Sequence, residues 1–449
     1  MTASTPTNLT HSIEWIKKTD HHAEHRLDLI EKVEAMLDGD ASAADRNGLA
    51  EQLDRWRYQL RNEHRGKLSK QDQALVDELD LHANQLRDGK ARSPRQPLKA
   101  IRGTLLDSPA IASLSAWFDS DYPLVQLTAE AKRITDEHFT VSEAENSEAK
   151  RRMVVYAPVY VSSQCVNHCT YCGFRYPMQI NRTHLELDQV VQQSQILKRR
   201  GFEHQLIVAG DYPSRTSTGY FCELINGLDQ DGLQVGIEIA AQSTQSYAAM
   251  VEAGAKSVTL YQETYDEAVY ETVHIRGPKA SFHWRLEAPE RAAEAGISRV
   301  GVGVLLGLAD PVKDVTAMLR HAAYLKDRFP DLKLAISLPR IHEAPDNFSI
   351  PYKISDEMLV RMYCICRLAF PDAELVLSTR EPAKLRGELA RICITQMSAG
   401  SSTAPGGYSE QEEACLGEQF PVTDERSVDE VVQWLTDEGF KVMWSCPSS

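Results

Sequence analysis

The run Met153-Val-Val-Tyr-Ala-Pro-Val-Tyr-Val-Ser162, continued by Ser163-Gln-Cys165-Val-Asn-His-Cys169-Thr-Tyr-Cys172-Gly-Phe174, decides how the rest of the chain is read. Its first part is apolar and rich in β-branched residues, the composition of a buried strand. Its second part sets three cysteines on one short loop with CxxxCxxC spacing. Three thiolates on such a loop suit three irons of a [4Fe-4S] cube and leave the fourth iron without a protein ligand. Iron–sulfur clusters are ordinarily ligated by four cysteines, so an open iron suits a cluster that does chemistry on what it binds. A zinc site is the competing reading. Zinc motifs come as two pairs well apart in sequence. No second pair is present, and Cys364 and Cys366 stand one residue apart in an apolar helical stretch.

Met153–Ser162 is the first of eight β-branched runs. The others are Gln205–Ala209, Gln234–Ala240, Ser257–Tyr261, Arg299–Leu305, Lys333–Leu338, Glu374–Ser378 and Ile392–Met397. Stretches between them, such as Leu187–Arg200 and Val315–Arg328, have helical apolar spacing. Eight βα units predict an α/β fold, a parallel (β/α)8 barrel of the TIM type, with a flat doubly wound sheet as the alternative. In such barrels chemistry sits at the C-terminal ends of the strands. Polar residues collect at that phase of the repeat: the cysteine loop, Gly210-Asp211, Glu238 to Gln242, Gln262-Glu263-Thr264, Gly307 to Asp310, Pro339-Arg340, Thr379-Arg380-Glu381 and Ser398 to Ser402.

Upstream the pattern differs. Residues 1–95 read as a charged helical N-terminal extension with a solvated surface, 96–150 as a helical lead-in, and 151–445 as the barrel with a C-terminal helical cap. Leu27, Leu29, Ile30, Val33 and Leu37 mark one helix, Leu49, Leu53, Trp56 and Leu60 a second, and Leu75, Val76 and Leu79 a third opening at Ser69. Residues 91–97 read as a linker. His21 and His25 would share a helix face, which reads as solvated polarity rather than a metal site.

The chain has 449 residues, 42% hydrophobic content and a formal net charge of −15. The acidic balance argues against nucleic acid or an acidic membrane as partner. No apolar run reaches the roughly 20 residues of a membrane span, and Met1 to Asp20 lacks an apolar signal core. Nine cysteines, an odd number without a disulfide framework, fit a reducing compartment, so a cytoplasmic protein is expected. Cys222, Cys364, Cys366, Cys393 and Cys415 read as ordinary thiols.

An open iron suits the amino and carboxylate groups of S-adenosyl-L-methionine (SAM). One electron would cleave its sulfonium carbon–sulfur bond and give a 5′-deoxyadenosyl radical. The CxxxCxxC loop with Tyr171 before its last cysteine resembles the radical SAM superfamily. Tyr156-Ala-Pro-Val-Tyr160, Tyr261-Gln-Glu-Thr-Tyr265, Gly277-Pro-Lys279, Arg285-Leu286, Gly301 to Leu308, Leu377-Ser-Thr-Arg-Glu-Pro382 and Ser398-Ala-Gly with Pro405-Gly-Gly-Tyr408 resemble its tyrosine lyase group. That group includes 2-iminoacetate synthase of thiamine biosynthesis and the tyrosine lyase of [FeFe]-hydrogenase maturation. The resemblance spans roughly residues 100–445. It implies cleavage of the Cα–Cβ bond of L-tyrosine to p-cresol and 2-iminoacetate (dehydroglycine). It also implies a low-potential electron donor such as flavodoxin or ferredoxin, and a thiazole synthase as downstream partner. The hydrogenase branch carries a C-terminal cysteine-rich extension for a second cluster. Here Trp444-Ser-Cys-Pro-Ser-Ser449 offers Cys446 alone, so a 2-iminoacetate synthase-like lyase is the expectation.

On this resemblance Cys165, Cys169 and Cys172 ligate the cube. Tyr171 lies near the adenine, or else is a core tyrosine. Gly210 and Asp211 fall where the family has a Gly-Glu pair near the SAM amino group, and Asp211 is one methylene shorter than that glutamate. Glu238 is a candidate for the ribose hydroxyls, or else an interior carboxylate paired with a cation. Gln262 and Glu263 leave the fourth strand end, and Glu263 is a candidate for an ammonium. Arg285 and Arg340 are candidates to clamp carboxylates; Ser378 and Arg380 complete the set. After Arg340 the family continues with an apolar residue, arginine and proline, whereas this chain reads Ile341-His342-Glu343. That departure and Asp211 keep another aromatic amino acid, such as tryptophan, open as substrate. A non-catalytic scaffold that kept the barrel is the remaining alternative.

Overall fold

A computed structural model describes residues 23–38, 42–63, 95–103, 113–119, 121–142, 149–345, 348–408 and 417–446, with isolated positions between 72 and 86. They divide into two compact units, one within residues 1–96 together with Ser243–Gln245, the other formed by the remainder.

Among its described residues the larger unit has ten strands: β1 (Thr140–Val141), β2 (Lys150–Ser162), β3 (His204–Ala209), β4 (Gln234–Glu238), β5 (Ser257–Thr259), β6 (Arg299–Gly303), β7 (Lys333–Ser337), β8 (Glu374–Leu377), β9 (Gln396–Ser398) and β10 (Lys441–Met443). Strands β2 to β9 pair in sequence order, every pair parallel. The ring closes where Val154, Val155 and Tyr156 of β2 meet Gln396, Met397 and Ser398 of β9. The fold is therefore a closed (β/α)8 barrel and not a flat sheet.

Strand β2 is long enough to serve two purposes. Its C-terminal part belongs to the barrel, while its N-terminal part pairs with β10 in parallel and β1 antiparallel. Neither flanking strand was expected from the pattern. Alternation along β2 sorts its side chains: Val155, Ala157, Val159 and Val161 join the layer between strands and helices, and Tyr156 and Tyr160 join a smaller cluster with Leu206, Val208, Ala335 and Val376. That is the period-2 geometry of a strand.

The helices between strands follow the same logic. Leu187–Arg199 opens on a capping box between Glu186 and Gln189 and buries Val190, Ser194 and Leu197. Pro311–Arg328 starts four residues earlier than the apolar spacing suggests. Pro311 is its first residue, and the Asp310 carboxylate accepts from the amides of Val312 and Lys313. The last strand is displaced from its expected place. Ile392 ends the helix Ala383–Ile392, so β9 begins only at Gln396.

The smaller unit is more than a solvated surface. Leu29, Ile30, Val33, Leu49, Leu53, Trp56, Leu60, Leu75, Val76 and Leu79 pack into a core of their own. Its helices span Ala23–Asp38 and Ala43–Glu63. Buried Arg57 pairs with Asp54 at 3.0 Å and with Asp80. The side chains of Leu27, Leu37 and His25, the opening of the third helix at Ser69, most of the linker, and His21 and Cys415 lie outside the described residues. No described helix is long and apolar enough to cross a membrane.

Candidate active site

The loop between β2 and the helix Leu187–Arg199 is fixed by backbone contacts to two other parts of the barrel mouth, at Asp211 and at Val273 to Arg276. The Val166 amide donates to the Asp211 carbonyl at 2.8 Å, the His168 amide to Arg276 at 2.9 Å, and the Thr170 amide to Val273 at 2.9 Å. The Arg182 guanidinium donates to the carbonyls of Ser163, Phe174, Arg175 and Met178. A loop pinned at this many points holds its cysteines without help from a regular element. All three thiols are free.

Cys165, Cys169 and Cys172 line one cavity of about 450 Å³ at the C-terminal ends of β2 to β5. Gly210, Asp211, Glu238, Glu263 and Arg285 line it too. Apolar walls come from Phe174, Val208, Ile239 and Leu260. Burial pushes the Cys169 thiol up to about 12; Lys279 opposes this, and Cys172 and Cys165 reinforce it. The thiols thus lie within electrostatic reach of one another. Among the described residues no group of three or more His, Cys, Asp or Glu side chains is placed to hold a metal ion by itself. Soft thiolate donors spread around a roomy cavity fit a multi-iron sulfide cluster rather than one small ion.

A charged group faces the thiols across this space. Lys279 Nζ donates to Glu263 Oε1 at 2.6 Å, and Arg285 Nη2 lies 3.4 Å from the same oxygen. Burial alone would raise the Glu263 pKa, but Lys279 and Arg285 outweigh it and hold the carboxyl below its ordinary value. Arg285 Nε also donates to the Tyr261 carbonyl at 2.7 Å, which fixes the plane of the guanidinium. Glu263 has φ of +73°, the one non-glycine residue among those described in the left-handed region. That conformation costs about 1–3 kcal/mol and persists only where surroundings enforce it. Its neighbours do so: Asp314 Oδ1 accepts from Thr264 Oγ1 at 3.0 Å and from the Tyr265 amide at 2.8 Å.

Asn167, between the first two cysteines, ties the two halves of the site together. Its Nδ2 donates to Asp211 Oδ2 at 2.8 Å, and its Oδ1 accepts from the Lys279 amide at 2.9 Å. Gly277, with φ of +103°, lets this approach happen, since a Cβ there would lie 2.3 Å from Asn167 Oδ1. Burial raises the Asp211 pKa, against the pull of Asn167, Arg285 and Lys279. Glu238 is pushed up to about 7, by burial first and Glu263 second, with Arg380 opposing.

Several expected residues stand elsewhere. Tyr171 does not line the cavity; it is buried, and its hydroxyl meets His274 Nε2 at 2.8 Å. Gln262 turns away, donating to the Phe282 carbonyl at 3.3 Å. Arg340 is saturated by its own neighbours: Nε lies 3.0 Å from both oxygens of Glu381, and Nη2 lies 2.6 Å from Glu381 and from Asp356. His342 also meets Glu381, at 3.2 Å. Ser378 and Arg380 line a smaller pocket in the barrel lumen, of about 60 Å³, which shares Val208, Glu238 and Tyr261 with the main cavity. Lys279, Asn167, Trp284 and Gln419 line the main cavity without having been singled out. Lys279 had a signal in Gly277-Pro-Lys279; Gln419 had none.

A profile described as "Radical SAM superfamily" matches residues 159–322, and one described as "Biotin and Thiamin Synthesis associated domain" matches 337–441. The chain is 34% identical over 373 residues to 2-iminoacetate synthase of Escherichia coli, covering 82% of this chain and 93% of that one. The crystal structure of HydG, a maturase of the [FeFe]-hydrogenase, superposes with a TM-score of 0.68 at 33% identity, over 78% of this chain and 76% of that one. HydG from Carboxydothermus hydrogenoformans gives 0.66 at 29% identity, over 91% and 86%. The closed barrel, the cysteine loop at its mouth and this extent of identity agree, and the chain belongs to the 2-iminoacetate synthase family of the radical SAM superfamily.

Proposed function

We propose that the chain is a tyrosine lyase that cleaves the Cα–Cβ bond of L-tyrosine to p-cresol and 2-iminoacetate. The observation that carries this reading is one cavity shared by a three-thiol loop and the Glu263–Lys279–Arg285 group. Cys165, Cys169 and Cys172 would hold a [4Fe-4S] cluster, with SAM on the iron they leave open. When bound, cluster and SAM supply the adenosyl radical that abstracts hydrogen from the substrate.

The chain's own residues bind, orient and exclude water. SAM and an amino acid each present an ammonium and a carboxylate. Glu263, kept ionised by its two cations, accepts from an ammonium, while Lys279 and Arg285 donate to a carboxylate. Buried charges of both signs at one wall match a zwitterion without leaving net charge unpaired. Phe174, Val208, Ile239 and Leu260 give the cavity apolar walls that keep water from a reactive radical. His342 lies off the cavity, against Glu381, so the altered run after Arg340 lends no support to a different substrate. Similarity to 2-iminoacetate synthase and to HydG is of the same degree, which fits the tyrosine cleavage the two branches of the group share.

The test is anaerobic reconstitution with iron and sulfide, then incubation with SAM, a reductant and each aromatic amino acid in turn. p-Cresol formed from tyrosine, with 5′-deoxyadenosine, and neither from a Cys169→Ala variant, is the expected result. A 3-methylindole-type product from tryptophan instead would overturn the substrate assignment. SAM consumption no higher than in the variant would favour a scaffold.

A further inference from the structure

Gln419 stands where no motif pointed and touches a cysteine of the loop. Its Nε2 donates to Cys172 Sγ at 3.7 Å, within range for a hydrogen bond to sulfur. Its Oε1 accepts from the Tyr160 hydroxyl at 2.8 Å. The two contacts occupy both ends of one amide. With Tyr160 donating to the oxygen, the amide nitrogen is turned to the sulfur, which as a thiolate has only acceptor capacity.

The backbone around Gln419 is fitted to the loop as closely as the side chain. The Gly173 amide donates to the Gln419 carbonyl at 3.3 Å, and the Gln419 amide donates to the Thr403 carbonyl at 3.2 Å. A Cβ on Gly173 would lie 2.6 Å from the carbonyl oxygen of Glu418 and 2.7 Å from that of Gln419. Gly173 is the residue directly after the last cysteine, so only glycine allows the two segments to meet there. The contact joins positions 247 apart in sequence, and Gln419 lies in the C-terminal segment rather than the one that bears the cysteines.

An N–H donor aimed at a cluster-ligating sulfur withdraws electron density from it and favours the reduced, more negatively charged cluster. Hydrogen bonds to the sulfurs are among the terms that set the reduction potential of such clusters. We infer that Gln419 is a positioning residue that raises the reduction potential of the cluster through Cys172, with Tyr160 fixing the orientation of its amide. The inference rests on the cysteine loop holding an iron–sulfur cluster.

The experiment is a redox titration of anaerobically reconstituted protein, followed by electron paramagnetic resonance, on wild type, Gln419→Leu and Tyr160→Phe. Gln419→Leu removes the donor and should shift the midpoint potential to a more negative value at unchanged iron and sulfide content. Tyr160→Phe keeps the amide but frees it to rotate, and should shift the potential in the same direction by less. Exchangeable-proton coupling to the reduced cluster, read by electron–nuclear double resonance, should lose one component in Gln419→Leu. Should Gln419→Leu fail to load iron, Tyr160→Phe and the wild-type proton coupling carry the test. An unmoved potential, or an unchanged proton coupling in a fully loaded variant, overturns the role of Gln419. A wild type that binds no cluster at all overturns instead the assignment of the cysteine loop.

Discussion

Lys279 Nζ and Glu263 Oε1 lie 2.6 Å apart, and the backbone that brings Glu263 to this contact holds φ of +73°. The pair is mostly buried, with side-chain exposures of 18% and 11%. Taking one partner from a buried pair leaves an uncompensated charge and costs about 3–5 kcal/mol, less here because Arg285 remains 3.4 Å away. Lys279→Met should therefore lower unfolding free energy by about 1–3 kcal/mol, and, since Lys279 is placed to donate to a ligand carboxylate, should separately lower kcat/KM for 5′-deoxyadenosine formation by roughly 10²-fold. The sign of the pH effect follows from the lowered Glu263 pKa. The pair stabilises the fold above the unfolded carboxyl value of 4.5 and ceases to do so as pH falls through the folded value. In Lys279→Met the folded value moves up toward 4.5, so the stability lost below pH 4.5 should be smaller than in wild type, as thermal unfolding across the acid range would show. An acid limb identical to wild type would contradict the pairing.

Glu238 shows the opposite sign. Burial, assisted by Glu263 and opposed by Arg380, takes its pKa from 4.5 to about 7. Below 4.5 both states hold the proton. Between there and about 7 the folded protein keeps a proton that the unfolded chain has released, so stability falls as pH rises through that window and is level above it. Glu238→Gln should remove this slope. The melting temperature of the variant relative to wild type should rise between acid and neutral pH, and parallel curves would show that the carboxyl titrates normally.

Why the barrel could be read in advance while parts of the site could not follows from what each signal encodes. Strand composition and the phase of the polar residues are properties of local sequence, and they locate the mouth of the barrel. They do not say which way a side chain turns once the strand has ended. Glu263 faces the cavity from a turn that Asp314, on the helix Pro311–Arg328, holds through the Thr264 hydroxyl and the Tyr265 amide. Its neighbour Gln262 turns to the Phe282 carbonyl. Arg340 has the type and phase of a ligand clamp, but Glu381 and Asp356 occupy its guanidinium. Tyr171 sits inside the cysteine motif yet points to His274. Gln419 meets Cys172 through a contact spanning most of the barrel sequence, and nothing local marks it. Ile392, an apolar β-branched residue at a helix end, has the local character of a strand's first residue, although the strand itself starts four residues later at Gln396.

Asp314 offers a test of how the strained turn is kept. It is buried, and its Oδ1 accepts from both Thr264 Oγ1 and the Tyr265 amide. Asp314→Ala leaves two buried donors unpaired, at about 1–3 kcal/mol each, so a loss of roughly 2–6 kcal/mol in unfolding free energy is expected. Asp314→Asn keeps a carbonyl oxygen at the same place and should retain most of the stability. If the turn serves Glu263, Asp314→Ala should also raise KM for the amino acid substrate in the fraction that remains folded. An unchanged KM would confine Asp314 to a structural part.

Arg340 and His342 should separate stability from catalysis. Glu381 is 2% exposed and accepts from Arg340 Nε and Nη2, with His342 Nε2 at 3.2 Å. Burial would raise the Glu381 pKa; His342 and Arg340 outweigh it and hold the carboxyl below its ordinary value. Arg340→Ala strips the main partner from a buried carboxylate, so a loss of about 3–5 kcal/mol in unfolding free energy is expected. His342 is partly exposed and makes one contact at the edge of the network. His342→Ala should cost no more than about 1 kcal/mol and leave KM for the amino acid substrate within about twofold of wild type. Denaturant unfolding and steady-state kinetics on the two variants check both halves. A large KM increase in a stably folded His342→Ala protein would place that histidine at the substrate after all, and would return the Ile341-His342-Glu343 departure to the question of which amino acid is cleaved.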